Sequence, residues 1–105
     1  MTIERQRQDD VGVIDREEIR QDKPKMFSVV LHNDDFTPMD FVTILLADIF
    51  NKNVDQAVQL MLKVHHEGKA VAGVYTRDVA ETKQTQSMER AQRQEHPLRV
   101  TVEPT

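Results

Sequence analysis

NDDFTPMDFVTILLADIFNKNVDQAVQLMLKVHHEG, residues 33–68, is the stretch on which the fold turns. Thr37-Pro38-Met39-Asp40 reads as a helix start: a hydroxyl to cap, Pro at the first helical position and an acid in the first turn. The helix is expected to run to about Asn51. Its apolar residues Phe41, Leu45, Ile49, Val42, Leu46, Met39 and Phe50 spread over roughly half the circumference, wider than one core-facing stripe requires. One edge of that arc should therefore face something other than the core. Asn53 and Gln56 stand at capping-box spacing and open a second helix, which runs through His66 or Glu67 and stops at Gly68. With only Lys52, Asn53 and a neighbour or two between them, the two helices form an αα-hairpin.

Working outward, MFSVVL at 26–31 is a β-branched and aromatic run that reads as a strand, with His32 to Phe36 as its outgoing loop. Downstream, KAVAGVY at 69–75 reads as a second strand whose Ala and Gly suit close approach by a helix or ligand. Thr76 can cap a third helix to about Gln94, with a thin apolar stripe of Ala80, Met88 and Ala91 and with Gln84 and Ser87 between. Pro97 then introduces a closing strand, Leu98 to Val102, with Leu98, Val100 and Val102 on one face. The order is β-α-α-β-α-β, an α+β fold with a small three-stranded antiparallel sheet packed against helices. Residues 1–25 hold only scattered Ile3, Val11, Val13, Ile14 and Ile19 and no aromatic residue. They cannot bury enough surface to offset ordering entropy and read as a flexible N-terminal arm ahead of one domain at 26–105, a short helix around Ile14 to Arg20 being compatible.

Composition excludes several functions. The 105 residues are 38% hydrophobic and 30% charged with a net charge of −4, which suits a soluble protein with a small core. Lys and Arg are interleaved with acids along most of the chain, so no basic face exists for nucleic acid. The absence of Cys removes disulfides, thiolate metal sites and a thiol nucleophile. No apolar run reaches the roughly 18 residues of a membrane span, and the first residues lack a signal-peptide core, so a cytoplasmic location is expected.

Two features invite a functional reading. The helical angle of His65 falls near the middle of the second helix's apolar face, formed by Leu60, Val64, Ala57, Met61, Val54, Val58 and Leu62, whereas His66 points among Gln59, Lys63 and Asp55. A core histidine bonded to a backbone carbonyl and a polar contact lining a cavity both satisfy this pattern, and periodicity does not choose between them. Asn33-Asp34-Asp35 is ordinary turn chemistry ahead of a helix, yet three successive acceptors also suit an ammonium group, which offers three donors. No His-x-x-x-His pair converges on a metal, and Ser28 and Ser87 sit where neither resembles an activated nucleophile. The three separate glycines form no phosphate-cradling loop.

NDDFTPMDFV at 33–42, LMLKVHHEGKA at 60–70, GVYTRDVAETK at 73–83 and HPL at 96–98, in this order and spacing, resemble the ClpS family of adaptors for the ATP-dependent Clp protease. The resemblance covers about residues 25–104. It implies recognition of N-degrons, proteins that begin with Phe, Leu, Trp or Tyr, by a chain without catalysis, cofactor or metal. By position, it implies that Asn33 and His65 bond the substrate's α-ammonium with Asp34 and Asp35 supplying charge nearby. It further implies a side-chain pocket walled by Leu31, Thr37, Met39, Val42, Met61, Val64 and Leu98, with Met39 screening out β-branched first residues. The implied partner is the amino-terminal domain of a Clp AAA+ unfoldase, ClpA or a ClpC-like relative, docking at Asp78, Glu81, Thr82 and Lys83 of a monomer. The arm would reach toward that unfoldase. An imidazole accepts a hydrogen bond only when unprotonated, so N-degron binding should weaken as pH falls.

A competing reading makes the chain a small enzyme with Asp34 or Asp35 and His65 as an acid and base pair. A third, a relative that kept the docking surface but lost the pocket, conflicts with the complete set of Asn33, Met39 and His65.

Overall fold

The computed structural model describes residues 23–105. The expected arm and its short helix lie outside the described residues, except for Lys23, Pro24 and Lys25, which are exposed and irregular. Six elements follow: β1 (Met26–His32), α1 (Met39–Ile49), α2 (Val54–Glu67), β2 (Lys69–Thr76), α3 (Arg77–Arg93) and β3 (Arg99–Pro104). β1 is the central strand, antiparallel to β2 on one side and to β3 on the other. The β-α-α-β-α-β order and the three-stranded antiparallel sheet are those read from the sequence.

Alternation along β1 sends Val29 and Leu31 into the core, and a register shift between Val29 and Val30 marks a bulge in the pairing with β2. α1 lays Phe41, Val42, Leu45, Leu46 and Ile49 against the core. α2 buries only Ala57 and Val64 fully, with Leu60 and Met61 packed at the margin. α3 meets the body by the small residues Ala80, Ser87 and Ala91, which let its backbone come close. Burying Ser87 leaves no polar orphan, because its hydroxyl donates to the Lys83 carbonyl at 2.8 Å. Gln84 ties α3 to the sheet, donating Nε2–H to the Val100 carbonyl at 2.9 Å.

The local signals differ in how they play out. The capping box is present: the Asn53 side chain accepts from Gln56 N–H at 2.8 Å, and the Gln56 side chain accepts in return from Asn53 N–H at 3.2 Å. Gly68 closes α2 in the left-handed conformation at φ 92°. The two Thr residues read as caps fare differently. Pro38, not Thr37, occupies the cap position of α1, and Thr76 sits at the cap of α3 without a side-chain bond. Thr37 donates its hydroxyl to the Asp34 carboxylate at 2.7 Å instead, a charge-assisted bond that orients the side chain toward the turn. α1 also ends at Ile49, two residues short of the expectation, where Asn51 takes φ 58° and Lys52 N–H bonds back to the Leu46 carbonyl at 3.2 Å. His32 belongs to β1 rather than to the loop after it, and the last strand begins at Arg99, leaving Leu98 just ahead of it.

Candidate functional site

Where β1 ends, its chain meets the C-terminus of α2. The reversal at Gly68 presents that residue's carbonyl to Asn33, whose N–H donates to it at 2.8 Å. One backbone bond thus holds the loop after β1 beside the last turn of α2, and brings the Asn33 and His65 side chains to one cleft. The cleft is lined by His32, Asn33, Asp34, Thr37, Met39, Val42, Met61, Val64, His65 and Leu98, and is narrow, with a cavity volume of about 10 Å³ within about 260 Å³ of space that includes its open mouth. Its floor is apolar: Val42, Val64 and Leu98 are all buried. Its rim is polar, and Met39, 47% exposed, forms the apolar part of that rim.

Asp34 organises the turn rather than the open space. Its Oδ1 accepts from Phe36 N–H at 2.8 Å and Thr37 N–H at 2.7 Å, and its Oδ2 accepts from the Thr37 hydroxyl at 2.7 Å. Burial by itself would raise the Asp34 pKa, but these bonds, with His96 nearby, outweigh it and hold the carboxyl below the ordinary carboxylate range. Asp34 is therefore an anion at neutral pH. Among the described residues, by contrast, the side chains of Asn33 and His65 make no hydrogen bond, although both line the cleft.

His65 is exposed, so the reading as a core histidine is overturned. It lines the cleft from the last turn of α2. The imidazoles of His65 and His66 meet edge to face at 5.2 Å.

The other residues singled out in the sequence are placed as follows. Leu31 is buried in the core beneath the cleft rather than on its wall, and Asp35 is exposed beside the mouth. At the start of α3, Asp78, Glu81 and Thr82 are exposed, with Glu81 paired to Arg77 at 3.3 Å and the Thr82 hydroxyl bonded to the Asp78 carbonyl at 2.9 Å. Lys83 behaves differently. Its Nζ donates to the Ile49 carbonyl at 2.6 Å and lies over the Phe50 and Tyr75 rings, so its charge is turned inward.

Sequence reasoning missed His32. Its Nε2 lies 2.8 Å from Thr101 Oγ1, whose single hydrogen goes to Glu103 Oε2 at 2.9 Å. The imidazole nitrogen is therefore the donor in that pair. Burial, then the charges of Arg99 and Lys69, lower the His32 pKa against the opposing pull of Glu103, which keeps the ring neutral. The strand period was the available signal, because it carries β1 one residue past the end of its apolar run.

With this geometry in view, the comparisons are decisive. Residues 22–101 match the family described as "ATP-dependent Clp protease adaptor protein ClpS". The chain belongs to the ClpS family. Among ClpS relatives, the ATP-dependent Clp protease adapter protein of Paraburkholderia phymatum is 50% identical over 94 residues, 90% of each chain. The Deinococcus radiodurans ClpS adapter is 56% identical over 82 residues, 78% of this chain and 73% of that one. A solved ClpS structure, Agrobacterium tumefaciens ClpS2 bound to L-phenylalaninamide, superposes with a TM-score of 0.77 at 38% identity over 79% of this chain and 100% of that one. This ClpS chain is thus an adaptor of the Clp protease by family. Among its described residues, no helix is long and apolar enough to cross a membrane.

Proposed function

We propose that this ClpS chain binds the free α-amino group and bulky first side chain of N-degron proteins, Phe, Leu, Trp or Tyr, and passes them to a Clp AAA+ unfoldase without chemical change. The observation that carries the reading is the pairing in one cleft of a buried apolar floor with two polar side chains, Asn33 and His65, that have no partner among the described residues. Phenylalaninamide, which the Agrobacterium relative binds, is a bulky apolar side chain beside a free amine. In this cleft its counterpart would place the ammonium at Asn33 and His65, with Asp34 and Asp35 supplying negative charge, and its side chain against Val42, Met61, Val64 and Leu98.

The energetics require both halves. A hydrogen bond to a charged group contributes about 1.5–3 kcal/mol, and burying a Leu or Phe side chain contributes about as much. Together they amount to about 3–6 kcal/mol, so removing either half leaves too little to offset the costs of association. Selectivity follows: an internal Leu lacks the ammonium, and a first Ser cannot fill the floor.

Anisotropy with labelled peptides that differ only in their first residue tests the reading. Leu, Phe, Trp and Tyr peptides should bind and be recovered intact, and Ser, Glu and N-acetyl-Leu peptides should bind at least about tenfold more weakly, the first two for want of a buried apolar side chain and the third for want of the charged bond. His65→Ala should lower Leu-peptide affinity by about tenfold without moving the unfolding midpoint, since the ring is exposed. Equal binding of Leu and Ser peptides would overturn the proposal, and cleavage of the peptide would favour the acid and base enzyme. Docking of the unfoldase's amino-terminal domain is assigned to the exposed start of α3, Asp78, Glu81 and Thr82. Lys83 belongs to that surface by position but its ammonium is committed to Ile49.

A further inference from the structure

β1 sends Val29 and Leu31 into the core that also takes the buried apolar residues of the helices. Alternation turns Met26, Ser28, Val30 and His32 to the opposite face of the sheet. Register sets Val74 and Glu103 beside Ser28, Val71 and Thr101 beside Val30, and Lys69 and Arg99 beside His32. Val30 is only 4% exposed yet stands outside the core cluster, and Met26, Val71 and Val74 on the same face are 38%, 44% and 47% exposed. The sheet thus carries a second apolar patch, away from the core and ending at two exposed bases, Lys69 and Arg99.

The point where the chain enters indicates what covers this patch. Lys23 leads into Met26, at the end of the face away from Lys69 and Arg99, and 22 residues precede it. Among them, DDVGVI at 9–14 places two acids ahead of Val11, Val13 and Ile14, with no base from Gln8 to Asp15. The lengths agree. Ile14 and Lys23 are nine residues apart. If about four of these reverse the chain near Asp22 and Pro24, the other five extend about 16 Å. Val30 lies about 13 Å along β1 from Met26. Ile14, Val13 and Val11 then pass over Val74, Val71 and Val30, and Asp10 and Asp9 arrive at Lys69 and Arg99. The arm has too few apolar residues to fold alone, and a face already built supplies the partner they lack.

We propose that the outer face of the sheet is the docking surface of the chain's own arm, with residues 9–14 laid over Val30, Val71 and Val74 and their acids on Lys69 and Arg99. Docking of this kind competes with any other use of the arm. It does not involve the cleft, so it stands apart from first-residue recognition.

Trypsin cleavage of the full chain after Arg16 and Arg20, followed by mass spectrometry, provides the test, because cleavage of a docked segment tracks the population of its open form. Val13→Asp in the arm and Val71→Asp on the face should each speed cleavage about fivefold, and the two together no more than either alone. Arg99→Glu should speed it about twofold and weaken its dependence on salt. Val71 is partly exposed, so the urea midpoint of Val71→Asp should stay in place. If it falls, Val13→Asp, outside every strand and helix of the sheet domain, carries the test alone. An unaltered chain cut as fast as Val13→Asp overturns the proposal, and so does additive acceleration by the two substitutions. Protection that grows with protein concentration would place the arm on another copy's sheet and overturn docking on its own.

Discussion

At its N-terminal end α1 stands beside an open cleft, with Met39 half-exposed, Phe36 in water and the Asn33 and His65 side chains unpaired among the described residues. At its C-terminal end the same helix is tied down: Ile49 and Phe50 are buried, and the Ile49 carbonyl, one of the acceptors a helix leaves over, is taken by the Lys83 ammonium. Each end relies on one charged side chain, Asp34 or Lys83. Asp34 uses its bonds on backbone and hydroxyl groups of its own turn, which shapes a rim without filling the space behind it. Lys83 reaches across from another helix and joins it to the end of α1. A binding site and a structural joint thus differ in whether the charge completes its own loop or bridges two elements.

Removing each charge tests that contrast. The largest effect is expected from Asp34→Ala, which should cost about 2 kcal/mol in urea denaturation through three lost bonds and lower Leu-peptide affinity about tenfold as the turn beside Asn33 loosens. Lys83→Met keeps the stem over Tyr75 but leaves the Ile49 carbonyl without its donor. It should cost about 1.5 kcal/mol and leave peptide affinity unchanged. A parallel loss of peptide binding would mean that α1 couples its two ends, and the contrast would fail.

A smaller effect should come from Gly68→Ala. Open space surrounds that position, so the cost of about 1 kcal/mol arises only from a side chain at φ 92°. Because the Gly68 carbonyl holds Asn33, peptide affinity should fall with it, a result readable by calorimetry and anisotropy on one sample.

The smallest effect is acid dependence. The Asp34 carboxyl titrates lower in the folded chain than in the unfolded one, so the unfolded state binds the proton more readily. Its stabilisation is therefore complete above about pH 4 and disappears as pH falls through the depressed folded value. The difference in urea midpoint between the unaltered chain and Asp34→Asn should stay level from about pH 7 to pH 5 and shrink only in stronger acid. A difference that fades near neutrality would point to an imidazole instead.

Much of this molecule is legible in short stretches of sequence. The Asn53 and Gln56 box, the stop at Gly68 and the wide apolar arc of α1 act over three or four residues, and periodicity registers them. That arc was a sign of the cleft, since Met39 and Val42 at its edge line the space behind the rim. Less legible were residues whose partner is distant. His32 reads as the first residue of a loop, and only Thr101, 69 positions away, gives its ring a partner. Lys83 reads as part of a docking face, and its ammonium instead donates a hydrogen bond to the carbonyl of Ile49, 34 positions away.

By itself, then, the sequence determined the element order, the two ends of α2, the family and the candidates His65 and Asn33. Tertiary structure decided that His65 opens onto a cleft instead of closing a core, that Leu31 lies beneath that cleft, and that Lys83 faces inward. The reason is range. Backbone conformation responds to neighbours along the chain, whereas whether a polar group is paired or left for a ligand depends on what distant segments, such as Gly68 against Asn33, bring within bonding distance.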